Sequence, residues 1–199
     1  FAEVCGWLKS WFNVLPLDEA VARLKEGSLP ARAACITFDD GYADNYLVAM
    51  PILQQHGLTA TFFIATGFLD GGRMWNDTII EAVRSITSPL LDLSSLDLGR
   101  HPMSTLIERR TAIAALIRQI KYQPTAQRIG ITAEIARLAK AQLPHDLMMT
   151  SLQVKTMRRA GMQIGAHTVS HPILAQLTDD QAKGEISDSK VFLEQLLDE

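Results

Sequence analysis

Two short apolar runs with a helical stretch between them constrain this chain more than any other feature. AACITF (residues 33–38) and LTATFFIAT (58–66) are apolar along most of their length rather than at alternate positions. That is the pattern of strands buried on both faces. Between them, ADNYLVAMPILQQHG (43–57) reads as a helix that Gly57 stops. Strand, helix and strand in this order predict parallel pairing, since a parallel partner is reached by a crossover and not by a hairpin turn. A third short strand, MQIGAH (162–167), follows the helix SLQVKTMRRAG (151–161), which Gly161 closes. The predicted fold class is α/β, with a parallel sheet or barrel.

The rest of the chain reads as helix. FAEVCGWLKSWF opens it, and PLDEAVARLKEG (16–27) follows, with Asp18 as the expected cap and Gly27 as the stop. No strand is expected from about 88 to 146, where helical stretches are punctuated by Pro89, Pro102, Pro124 and Pro144. This segment reads as a helical insertion into the α/β framework. Of the 199 residues, 47% are hydrophobic, enough for a buried core. A net charge of -3 excludes the basic footprint of a nucleic-acid binder, and no apolar run is long enough to span a bilayer. Two cysteines are too few for a disulfide framework, and Cys35, inside an apolar run, is expected to be a core thiol. The chain opens on Phe1 without a methionine and ends inside a helix at Glu199, so a fragment of a longer protein is expected.

Two strand ends carry unusual polar groups. The first run leads into Asp39, Asp40 and Gly41; the third leads into HTVSHP (167–172), where His167 and His171 straddle a turn that Pro172 helps to fix. Taken singly, the aspartates suit helix capping and the histidines a surface pair. Together, at the carboxyl ends of strands in one parallel unit, they sit where α/β folds bind ligands. Two imidazoles and one carboxylate form a common zinc ligand set that leaves a position open. An aspartyl-phosphate chemistry would need a second aspartate two positions after the first, where Gly41 stands. The spacing of Asp39, Asp40 and Asp44 does not fit a calcium loop either.

TFDDG (37–41) together with HTVSHP (167–172) resembles the first two motifs of the polysaccharide deacetylases, the NodB-like carbohydrate esterases. The likeness runs from about Leu17 to Ala175, the helical insertion apart. It implies a partial, distorted (β/α) barrel and a metal-dependent hydrolase that removes N-acetyl groups from an amino-sugar polysaccharide. It also implies that Asp39 is the general base and that Asp40, His167 and His171 bind a divalent metal, most often zinc. Zinc lowers the pKa of water bound to it to roughly 7, and a neighbouring unbound carboxylate can accept the proton.

The resemblance sets further expectations. The family's later motifs, an Arg-Pro segment, an Asp/Trp segment and a Leu-x-His segment that supplies the general acid, are expected beyond Glu199. GRHP (99–102) and LPH (143–145) look similar but precede the histidine motif. Tyr42, next to the aspartates, and Trp75 in GGRMWND (71–77) are candidates for substrate contact, with packing over the loop and a helix start as their respective alternatives. Export is suggested by the family alone. Two other readings stay open: an O-acetyl esterase or cyclic amide or imide hydrolase on the same scaffold, and a non-catalytic carbohydrate-binding domain.

Overall fold

The computed structural model describes residues 1–199, which divide into two compact units, Phe1–Gly72 with Asp146–Glu199, and Arg73–His145. In the first unit, helix α1 (Ala2–Trp11) leads to strand β1 (Asn13–Val14) and helix α2 (Leu17–Glu26). Strands β2 (Ala33–Ala34) and β3 (Thr37–Phe38) follow. A π-helical turn at Asn45–Ala49 then runs into α3 (Met50–His56), and strand β4 (Thr61–Ile64) comes next. The second unit holds α4 (Trp75–Ser85), β5 (Leu90–Asp92), β6 (Arg100–Pro102), α5 (Leu106–Ile120) and α6 (Thr125–Leu138). The chain re-enters the first unit with α7 (Ser151–Arg159), β7 (Gln163–Ala166) and α8 (Asp179–Leu197).

β3, β4 and β7 form a three-stranded parallel sheet with β4 at its centre. Period-two alternation sorts their side chains. Phe38, Phe62, Ile64, Ile164 and Ala166 face a core completed by Cys5, Leu53, Val154, Met157 and Leu193. The rings of Phe38 and Phe62, in register on adjacent strands, stack with centroids 4.8 Å apart. Thr37, Thr61, Phe63, Gln163 and Gly165 take the other face. There Gln163 Oε1 accepts the Leu17 N–H at 2.9 Å and the Thr61 hydroxyl at 2.8 Å, tying the start of α2 to the sheet. Gly27 and Gly57 end their helices in the left-handed conformation, with φ of 70° and 63°, as their positions in the sequence predict.

Three expectations need correction. The run 33–38 is not one buried strand: Ala33–Ala34 pairs in parallel with Asn13–Val14, whereas Thr37–Phe38 pairs with β4. The chain changes partners at Cys35, which is only half-buried, and Thr37 is exposed. Asp18 does not cap α2. Pro16 holds the N-cap position, which makes Asp18 the second residue of the helix, and its carboxylate accepts the N–H of Glu19 one residue later.

The third correction concerns 88–146. The second unit, Arg73–His145, is built on a core that α4 shares with α5 and α6 through Ile79, Val83, Leu116, Ile120 and Ile135. It also contains an antiparallel hairpin, with Leu90 opposite Pro102 and Leu91 opposite His101. Strands of three residues are too short for a period-two signal to stand out. Arg109 stabilises this unit. Its guanidinium donates to the carbonyls of Val83, Arg84 and Ile86 at the end of α4, and to that of Met103. Those helix-end carbonyls have no partner within their own helix.

Candidate metal centre

The first motif leaves the sheet through a tight turn. Gly41 N–H donates to the carbonyl of Asp39 at 3.0 Å, which closes a three-residue turn around Asp40 and drives Asp40 to φ 77°. A non-glycine residue held in this region costs on the order of 1–3 kcal/mol, and such strain concentrates at functional sites. The turn is fixed from outside: the Ala65 N–H donates to the Asp40 carbonyl at 3.1 Å, and the Met149 N–H to that of Gly41 at 2.9 Å. Gly41 is required here. It is buried with φ 90°, and a Cβ at this position would lie 3.3 Å from Ile64 Cγ2.

The second motif continues the pairing of β4 with β7 beyond both strands. The His167 N–H donates to Ile64 O, the Thr66 N–H to Thr168 O and the Gly67 N–H to Val169 O, at 2.9, 3.1 and 2.9 Å. Thr168 and His171 both take positive φ, 66° and 50°. The Thr168 hydroxyl oxygen accepts the His171 N–H at 3.1 Å and so closes the loop on itself. Gly67 allows the close approach, because a Cβ there would sit 2.7 Å from the carbonyl oxygen of Val169. Gly67→Ala is therefore expected to push the histidine loop outward and destabilise the fold by about 1–3 kcal/mol. A chemical-denaturation midpoint equal to that of the native chain would contradict this.

These constraints converge on Asp40. Its Oδ1 lies 3.3 Å from His171 Nε2 and 3.5 Å from His167 Nε2, and the two imidazole centroids are 5.0 Å apart. Ligand atoms of all three residues fall within 4.8 Å of one another. The separations are long for direct N–H···O hydrogen bonds, which cluster near 2.7–3.2 Å. They match the roughly 3.3–3.4 Å between two ligand atoms that each stand about 2.0–2.1 Å from a tetrahedral ion. An O,N,N donor set at this spacing fits a divalent metal. With side chains 24%, 33% and 40% exposed for Asp40, His167 and His171, the cluster is reachable from solvent.

The remaining candidates lie elsewhere. Asp39 is exposed and stands outside the three-residue cluster. As the residue after Phe38, it continues the Thr37 face of β3. Tyr42 is half-buried, and its backbone bridges to Met148. Trp75 belongs to the second unit as the first residue of α4. The Arg128 guanidinium lies 5.2 Å from its ring centroid, and it packs against that unit's core. Neither Asn76 nor Asp77 caps α4, whose N-cap is Met74. The groove on the outer face of the sheet, lined in part by Thr61, Phe63, Gln163 and Gly165, includes none of the candidate site residues.

One participant was not foreseen from the sequence. Glu185, in α8, accepts the N–H groups of Val169 and Ser170 at 2.8 Å each and the Ser170 hydroxyl at 2.5 Å. A glutamate inside an amphipathic helix carries no local signal of such a role; only the packing of α8 beside β7 reveals it.

The family model for polysaccharide deacetylase matches residues 26–88 and 112–199. A Bacillus subtilis (strain 168) protein, YxkH, whose name places it among the polysaccharide deacetylases, is 40% identical over 60 residues, 29% of this chain and 22% of YxkH. Among solved structures, the Streptococcus pyogenes deacetylase PplD in complex with acetate aligns over 100% of this chain and 57% of its own, with a TM-score of 0.58 and 22% identity. The BpsB deacetylase domain from Bordetella bronchiseptica aligns over 100% of this chain and 65% of its own, with a TM-score of 0.54 and 15% identity. These two likenesses bear on the fold. The chain spans little more than half of PplD and about a fifth of YxkH.

Proposed function

Because the chain belongs to the polysaccharide deacetylase family, we propose that it serves in hydrolysing N-acetyl groups on an amino-sugar polymer, with Asp40, His167 and His171 as metal ligands and Asp39 as general base. On this reading the β3–β4–β7 sheet is part of a distorted (β/α) barrel, and both motifs stand at its strand ends. The observation that carries the proposal is the convergence of Asp40 Oδ1 on both Nε2 atoms at 3.3 and 3.5 Å.

Zinc is the expected ion, since two imidazoles and one carboxylate with a free position form a hydrolytic zinc set. When bound, it supplies Lewis acidity toward water and an acyl oxygen. The protein's own groups divide the remaining work. Asp40, pinned through its carbonyl and its tight turn, spends its carboxylate on the cluster. Asp39, one residue earlier on the exposed side of the strand, keeps a free carboxylate that can take a proton from water attacking the amide carbon. On this reading adjacent aspartates hold different duties because the Asp40 carboxylate, and not that of Asp39, stands with the two histidines.

Zinc stoichiometry tests the centre: about one equivalent per chain is expected after reconstitution, and none would refute it. Acetate release from chitin oligomers and acetylxylan, and ring opening of cyclic imides, test the substrate class. Release from the chitin oligomers is expected; hydrolysis confined to the ester or the imides would overturn the N-acetyl reading.

A further inference from the structure

Glu185 lies inside α8, about two turns past the N-cap Thr178 and one turn past Gln181, the other member of the capping box. A carboxylate in mid-helix ordinarily faces water or a cation. Here both of its oxygens are committed to the segment between His167 and His171: Oε2 accepts from Val169 N–H and Ser170 N–H, and Oε1 from the Ser170 hydroxyl. Two successive backbone N–H groups aimed at one anionic oxygen form an anion-binding nest, and hydrogen bonds to an ionised acceptor are about twice as strong as neutral ones.

This loop needs an external restraint. It contains two non-glycine residues at positive φ, Thr168 at 66° and His171 at 50°, a conformation that persists only when the surroundings over-determine it. On one side, the carbonyls of Thr168 and Val169 are held by the N–H groups of Thr66 and Gly67. On the other side, the N–H groups of Val169 and Ser170 are held by Glu185. Removing the carboxylate frees that side, and the loop can then relax so that the two Nε2 atoms no longer meet Asp40 together.

We infer that Glu185 is a positioning residue of the metal centre, which fixes the His167–His171 loop in its ligating shape without touching the metal or the reacting atoms. The inference rests on the reading of Asp40, His167 and His171 as a metal centre. Groups that orient a metal ligand from outside typically change metal affinity by 10–100-fold when removed.

The test is zinc affinity, measured by competition with a chromophoric chelator at a temperature where circular dichroism shows each protein folded. Glu185→Ala is expected to bind zinc about 10–100-fold more weakly than the native chain. Glu185→Gln, which keeps an acceptor of the same shape, should fall between the two. A folded Glu185→Ala that binds zinc as tightly as the native chain overturns the inference, even if its unfolding midpoint has dropped, because that pattern belongs to a purely structural role. Should Glu185→Ala not fold, Ser170→Ala carries the test by removing one contact from the loop side: weakened zinc affinity supports the inference, and unchanged affinity overturns it. A native chain that binds no zinc refutes the metal centre itself, a result distinct from normal native binding with an unaffected variant.

Discussion

Asp40→Ala is expected to weaken zinc binding by on the order of 100-fold or more, beyond the range seen when groups outside the ligand set are removed, and to abolish acetate release with it. The substitution deletes the carboxylate of the cluster, which the two imidazoles face at 3.3 and 3.5 Å. The backbone adds a second, separable effect. Asp40 sits at φ 77°, where aspartate is better tolerated than alanine and glycine is at ease. Asp40→Gly should therefore lose zinc as completely as Asp40→Ala, yet make the zinc-free protein more stable by about 1 kcal/mol. Isothermal titration and denaturant melts of the zinc-free proteins measure the two effects. Full zinc affinity in either variant would remove Asp40 from the ligand set. A less stable glycine variant would show that the turn is not strained.

Asp39→Asn is expected to leave zinc affinity unchanged and to lower the rate of acetate release by about 10²–10⁴-fold, the usual contribution of a positioned general base. The basis is the geometry at the end of β3. Phe38 faces the core, Thr37 and Asp39 are exposed, and the turn closed by Gly41 N–H on Asp39 O separates Asp40 from its neighbour. Asparagine keeps the shape and removes the basicity, so a defect in turnover alone isolates proton transfer. Loss of zinc with Asp39→Asn, and its retention with Asp40→Ala, would mean that the two aspartates exchange roles.

Much of the candidate site was legible in the sequence because its residues fall in two short segments. Asp39, Asp40 and Gly41 follow directly on an apolar run, and His167 and His171 flank a turn. The glycines that end helices were equally readable, since only a left-handed residue closes a helix at Gly27 and Gly57 without strain. Less readable were features set by partners distant in the chain. The break in the run 33–38 depends on β1 and β4 competing for successive residues. The hairpin at Leu90–Asp92 and Arg100–Pro102 depends on a helical core into which Leu91 inserts. Local pattern leaves Trp75 open between substrate contact and a helix start; it is the first residue of α4, with the Arg128 guanidinium over its ring within the second unit.

By itself the sequence determined which residue types arrive at the strand ends and in what order, because short-range pattern and turn chemistry are local properties. The tertiary structure decided which of two adjacent carboxylates meets the histidines. Register between β4 and β7 continues into the histidine loop through the N–H groups of Thr66 and Gly67, and the turn at Asp40 aims one carboxylate, not both, at the Nε2 atoms. It also enlisted Glu185, whose bonds to Val169 and Ser170 exist only because α8 packs against β7. Direction and distance between groups far apart in the chain follow from packing, and no local pattern encodes them.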